Sequence, residues 1–378
     1  MVYVFILLFL IYFLFLTLLI IGWKKIPFNE VRKELTDGPL LSVIIPARNE
    51  GNNIQLLLED IRSQTYGNFE VIVINDNSTD NTHDSVNLFA RDDVRFSIIE
   101  SLEHGKKKAL TRGVNESRGD IIITTDADCR VQKGWLQGLS NYFQEENVKM
   151  VFGGVSIQST SLFSELQAHE FLSLIGTAAS TLTLGVPTMC NGANLAYRKS
   201  VFEEVSGYAG NFHIASGDDE FLMHKIFRRY PGGIRFAANQ VTVVRTSAAS
   251  GLGGFIHQRI RWAGKWRYKF SVTNVILAVF ILLFHLSVLF LPSAVGFRWI
   301  DPLLALTLFS IKVVLEWIFL KKVAEFLKVS WKPSAFFFLQ VIYPVYAVFI
   351  GLVSTSIPFE WKGRKLKSVD IQYMKPQH

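Results

Sequence analysis

Residues 1–22 form an unbroken apolar run, and three more follow at 271–291, 303–320 and 334–357. About 20 such residues cross a bilayer as a helix, the form that satisfies every backbone N–H and C=O internally. These runs commit both ends of the chain to helix and confine any globular domain to the interval between them. The first run lacks a basic leader and a small-residue cleavage site, and it exceeds the ~7–15 apolar residues of a signal peptide. It is therefore expected to be a permanent anchor. Lys24, Lys25, Arg32 and Lys33 follow it, so the positive-inside rule puts the intervening domain in the cytosol. An integral protein of the cell inner membrane is the expected setting.

Composition agrees: 49% of the 378 residues are hydrophobic, and the mean hydropathy is +0.27. The net charge of +7 raises the question of nucleic acid. Its basic residues gather beside apolar segments, at 259–269, 321–332 and 362–367, where anionic headgroups account for them better. Membrane lipids are the expected partner and nucleic acid is not. Cys129 and Cys190 make no disulfide framework, and the eight histidines lack zinc spacing.

Between the anchors, strands and helices alternate. Apolar strands are expected at 41–46, 69–74, 95–99 and 120–125, with helices at 53–64, up to Ala90, and at 106–115. This pattern predicts an α/β fold, a mostly parallel, Rossmann-like sheet with helices on both faces, plus transmembrane helices. Further strands are expected at 153–157 and within 188–198, and helices at 162–179, 201–205, 221–227 and 255–270.

In open α/β sheets, ligands bind beyond the carboxyl ends of the strands. Asp76 and the Asp126-Ala127-Asp128 triplet fall there. An Asp-x-Asp at a strand end presents hard oxygen ligands suited to Mg²⁺ or Mn²⁺ and to phosphates. Lys106, Lys107 and Lys108 open a helix, either beside such a phosphate or as a solvated face. Asp218, Asp219 and Glu220 also open a helix. They complement its macrodipole or supply a general base. Gln258, Arg261 and Trp262 share one face of an amphipathic, interfacial helix and suit phosphate, hydroxyl and ring contacts.

In order and spacing, Asp76, Asp126-Ala127-Asp128, Asp218-Asp219 and Gln258-x-x-Arg261-Trp262 resemble the D, DxD, ED and QxxRW series of membrane-bound family-2 glycosyltransferases. These have a GT-A fold and are related to ceramide glucosyltransferases and to poly-N-acetylglucosamine and hyaluronan synthases. The segments Val43-Ile44-Ile45-Pro46-Ala47-Arg48-Asn49-Glu50 and Gly105-Lys106-Lys107-Lys108-Ala109-Leu110 strengthen the resemblance. It implies that Ala47, Arg48, Glu50, Asp76, Lys106 and Asp126 contact a nucleotide-sugar donor. Asp128 would ligate Mg²⁺ or Mn²⁺, and Asp219, with Asp218 beside it, would be the catalytic base. Gln258, Arg261 and Trp262 would hold the donor diphosphate and the acceptor end.

The expected organisation is an anchor at 1–22, a linker at 23–39 and a GT-A domain at 40–250. An interfacial helix at 251–270, membrane segments at 271–357 and a basic tail at 358–378 follow. The implied function is inverting transfer of a sugar, from a UDP-type donor, to a lipid acceptor. Synthesis of a polysaccharide (a glycan acceptor) and a non-catalytic scaffold are the alternatives. Three full C-terminal crossings would put the basic tail opposite the cytosol, whereas Gln340, Pro344 and Pro358 allow a re-entrant last segment; the sequence leaves both open.

Overall fold

The computed structural model describes residues 2–28, 38–212, 214, 217–264, 272–354, 359–361 and 364–366. Most of the linker, the end of the 251–270 helix and most of the 358–378 tail lie outside the described residues.

After helix α1 (Val2–Lys24), the chain alternates β1 (Leu41–Ala47), α2 (Ile54–Arg62), β2 (Phe69–Asn75), α3 (Thr82–Asp92), β3 (Phe96–Glu100), α4 (Lys106–Glu116) and β4 (Ile121–Thr124). Helix α5 (Trp135–Ser140) leads to β5 (Met150–Gly153) and β6 (Val155–Ile157). Next come α6 (Leu162–Thr183), β7 (Leu195–Arg198), α7 (Lys199–Glu204) and α8 (Asp218–Arg229). Strands β8 (Ile234–Ala237) and β9 (Val244–Thr246) precede α9 (Gly251–Gly264), α10 (Val272–Gly296), α11 (Pro302–Leu327) and α12 (Pro333–Val353). A small hairpin, β10 (Phe359–Trp361) and β11 (Arg364–Leu366), follows.

Seven strands form one sheet in the order β3-β2-β1-β4-β7-β5-β8, parallel except that β7 runs against both neighbours. Every residue of β2 and β4 is buried, as a sheet covered on both faces requires. The register pairs Ala47 with Asn75 and Ile44 with Thr124, which brings Asp76 and Asp126 out at one edge of the sheet. Helix α4 packs closely on this sheet: a Cβ at Gly113 would meet the Ile44 side chain at 2.4 Å.

The apolar stretch expected at 153–157 is two strands rather than one. The chain leaves the main sheet at Gly154, and β6 pairs instead with β9. Asn194 Nδ2 fills the gap by donating to Gly154 O at 2.9 Å and to Thr242 O at 2.8 Å.

Helices α1, α10, α11 and α12 are long and apolar enough to cross a membrane, by length and composition. Leu7, Leu14, Ile276, Leu303 and Val341 on their outer faces are exposed, as an oily solvent demands. Inside, Lys312 Nζ donates to Glu316 Oε2 (2.9 Å) and Gln340 Oε1 (2.5 Å), and Tyr12 OH donates to Glu316 Oε1 at 2.6 Å. Buried charge in such a bundle persists only when so paired.

Helix α10 leaves the globular domain and α11 returns to it: Asn274 bonds Thr188 O, and Gln240 Nε2 bonds Glu325 O. Helix α12 touches the domain at both ends. Lys332, its N-cap, donates its N–H to His169 Nε2 at 3.0 Å and pairs with Glu165. Toward the other end, Tyr346 OH donates to Glu170 Oε1 at 3.3 Å, and Ser354 O faces Gly264 of α9.

Candidate active site

The sheet's carboxyl edge gathers side chains from four separate stretches of sequence. Asp76, just past β2, is buried and takes its backbone N–H to Ala47 O (2.8 Å). Its Oδ2 accepts from Gly105 N at 3.2 Å, so it braces the entry to α4. Gly105 sits at φ +108°, and although an added Cβ would meet nothing within 4 Å, that backbone conformation disfavours any residue other than glycine. Arg48 Nη1 donates to Asp76 O (2.8 Å) and Asn77 O (3.0 Å), and Glu50 Oε2 accepts from Asn53 Nδ2 at 2.9 Å. Ala47, Arg48, Glu50 and Asp76 thus form one rim, with Ala47 buried beneath it.

The lysine triplet does not act as a unit. Lys106 Nζ lies 2.5 Å from Asp126 Oδ1. Lys107 is buried, donating to Asn211 O at 2.9 Å and to Ile214 O, which ties α4 to the loop before α8. Lys108 pairs with Glu103 at the surface. Neither a wholly solvated face nor a phosphate cradle of three describes them. Helix pitch points successive residues about 100° apart, and each found a different neighbour.

Asp128 accepts from Thr246 Oγ1 at 3.2 Å. Burial, then the carboxylates of Asp126 and Glu50, push its carboxyl up to about 6. This crowding of negative charge is the condition a divalent cation relieves. Among the described residues no three His, Cys, Asp or Glu side chains form a metal cage. Mg²⁺ is commonly bound through one or two carboxylates plus ligand phosphates.

Asp219 comes from the first turn of α8. Gly192 N–H donates to its Oδ2 at 2.9 Å and Glu220 N–H to its Oδ1 at 2.7 Å. Asp218 is buried beside it and Glu220 behind it. Burial would lower the Lys106 ammonium, but Asp126, Asp218 and Asp219 together hold it above the ordinary lysine range. Burial lowers the half-buried Arg261 guanidinium, with the same three carboxylates acting against it. Lys106 of α4 and Arg261 of α9 thus lie within electrostatic reach of Asp126, just past β4, and of Asp218 and Asp219 at the start of α8.

Gln258 and Trp262 flank a residue that motif spacing passed over. Arg259 is 3% exposed and clasps Glu170 of α6, Nη2 to Oε2 at 2.5 Å and Nε to Oε1 at 3.2 Å. Its Nη1 donates to Gln258 Oε1 at 2.5 Å, and its guanidinium lies 4.3 Å from the Trp262 ring centroid. Trp262 also packs on Phe171. Sequence reasoning missed Arg259, Glu170, Gly192 and Thr246. A glutamate inside the apolar 162–183 helix was the one available signal. Cys129 is a free, buried thiol pushed up by burial, consistent with a packing role.

Residues 42–206 match the family model for Glycosyl transferase family 2. This segment is a family-2 glycosyltransferase domain. The chain is 30% identical over 194 residues to glycosyltransferase AglE of Haloferax volcanii, covering 48% of this chain and 59% of that protein. It is 27% identical over 247 residues to the poly-β-1,6-N-acetyl-D-glucosamine synthase of Staphylococcus aureus, covering 62% and 58%. The chain thus spans about three fifths of the length of these relatives. In structure it resembles the mannosyltransferase PcManGT of Pyrobaculum calidifontis, solved with GDP-Man and Mn²⁺. That likeness has a TM-score of 0.58 at 19% identity and covers 93% of this chain and 95% of the other. The family-2 domain carries the GT-A fold expected from its motifs.

Proposed function

We propose that the chain is an inverting glycosyltransferase that moves a sugar from a nucleoside-diphosphate donor to a membrane lipid. The observation that carries this reading is the Lys106–Asp126 ion pair at the sheet's carboxyl edge, with Arg261, Asp218 and Asp219 within electrostatic reach of it. A site with two cations, a carboxylate pair at a strand end and an acid at the start of α8 suits departure of a diphosphate. Ala47, Arg48, Glu50 and Asp76 form the rim that would take the nucleotide. Asp126 would lie against the ribose or sugar.

Asp128, with Asp126 beside it, would hold Mg²⁺ or Mn²⁺, which would supply charge neutralisation at the donor diphosphate. Asp219 would accept the proton of the acceptor hydroxyl, its two backbone N–H partners fixing the carboxylate. The acceptor oxygen then bonds to the anomeric carbon as the bond from that carbon to the diphosphate oxygen breaks. Lys106 and Arg261 would take up the charge of the leaving diphosphate. Arg259, locked to Glu170, would hold α9 so that Gln258, Arg261 and Trp262 face the donor. One displacement inverts the anomeric centre.

Purified protein in lipid, supplied with Mn²⁺ and a panel of UDP- and GDP-sugars, tests this through released diphosphate. Release from one donor, lost on chelation, is the expected result; no release from any donor overturns the reading. The second reading, extension of a glycan, draws on the Staphylococcus relative. A product ladder instead of a single addition would select it. The domain is expected to face the cytosol, as the basic residues after α1 require.

A further inference from the structure

The membrane helices meet the globular domain around a partly open cavity of about 190 Å³, bounded by α1, α6, α10, α11 and α12. Its wall is mainly apolar, including Leu16, Leu174, Leu277, Ala278, Ile281 and Leu339. An apolar cavity of about 150 Å³ already admits a benzene-sized guest.

Two polar residues in this wall, Asn274 and Trp331, each hold a buried side-chain atom without a hydrogen-bond partner among the described residues. Asn274 is 9% exposed. Its Nδ2 donates to Thr188 O and to Glu220 Oε1, both at 2.7 Å. Its Oδ1 is buried without a hydrogen-bond donor among the described residues. A buried amide oxygen left so is costly to the fold. Asn274 is also the link to the chemistry. Glu220, its partner, follows Asp219 directly, and the turn from Thr188 leads to Gly192, which holds the Asp219 carboxylate.

Charge in the wall argues against a phosphate. Lys312 is the single Lys or Arg among the lining residues, and Glu316 and Gln340 already occupy its ammonium. Glu170, also in the wall, is neutralised by Arg259, and Glu220 stands behind Asn274. A phosphate here would gain no free cation and would face carboxylates. A neutral hydroxyl would meet no such repulsion.

We infer that this cavity is the acceptor's membrane-side site, and that it takes a neutral, hydroxyl-bearing lipid rather than a phosphate-bearing one. The acceptor role rests on the transferase reading above. The site itself does not.

The test uses the full-length protein in phosphatidylcholine vesicles without donor. Photoactivatable diacylglycerol is crosslinked, in parallel with photoactivatable phosphatidic acid, and the labelled peptides are mapped. The expected result is diacylglycerol labelling of α10 and α12, competed by unlabelled diacylglycerol and at least tenfold above phosphatidic acid. Ala278→Trp, or Leu339→Phe from the facing helix, fills the cavity and should cut labelling at least tenfold, while donor hydrolysis shows that the variant is folded. Equal labelling by phosphatidic acid, or labelling unchanged in hydrolysis-competent filled variants, overturns the inference. Capture of diacylglycerol by a protein that releases diphosphate from no donor keeps the site but sinks the transferase. Donor hydrolysis without capture does the reverse.

Discussion

Lys106 Nζ stands 2.5 Å from Asp126 Oδ1, joining the first turn of α4 to the end of β4. In the proposed reaction this ammonium exchanges a carboxylate for the donor diphosphate. Lys106→Met should therefore weaken nucleotide-sugar binding about tenfold, or ~1.4 kcal/mol. Calorimetric titration with the accepted donor and Mn²⁺ measures this, and an unchanged affinity would remove Lys106 from the donor site.

Asp219→Asn preserves shape and removes the base. Turnover should fall about 10²–10⁴-fold with donor affinity retained. Unchanged turnover would sink the assignment of Asp219.

Breaking the Glu170–Arg259 pair should be severe because both groups are buried, at 6% and 3% exposure. Glu170→Ala leaves a guanidinium without its carboxylate and should cost ~3–5 kcal/mol. Replacing both, as Glu170→Leu with Arg259→Met, should recover much of that loss while still lowering turnover, since α9 loses its clamp. Thermal unfolding and donor hydrolysis, measured together, separate the two effects.

Glu70 provides a pH signature away from the site. Burial would raise its carboxyl, but the Arg118 N–H, the Ser42 hydroxyl and the Arg118 guanidinium together hold it below the ordinary 4.5. A lowered carboxylate contributes stability that is present above its unfolded value and lost as pH falls through its folded one. Glu70→Gln should thus cost ~1–3 kcal/mol near pH 7, with the deficit shrinking below pH 4.5. Parallel melts at the two pH values check the sign.

Helix α12 meets the globular domain through Lys332 at one end and through Tyr346 and Ser354 toward the other. The chain beyond it should therefore emerge on the domain's side. A cysteine at Ser368 should react with an impermeant maleimide from the same face as one placed in the domain. Labelling from the opposite face would mean a full crossing.

Much of this protein was legible without coordinates, for reasons specific to each element. The strands β1, β2 and β4 are buried on both faces, so their apolar runs stood out whole, and each acid beyond them marked a strand end. The spans 41–46, 69–74 and 120–125 match the observed strands to within a residue or two at each end. The run at 153–157 misled because periodicity cannot register a glycine where a chain changes sheets.

What the sequence determined alone was the alternation of strand and helix, the four apolar helices and the types of residue at the sheet edge. These depend on local patterning, which each segment carries by itself. The tertiary structure decided which of those residues meet. It split Lys106, Lys107 and Lys108 among three partners, buried Arg259 on Glu170 and set α12 against the domain at Lys332 and again at Tyr346. Each outcome is a pairing across long stretches of chain, where the cost of an unmatched buried charge selects the partner.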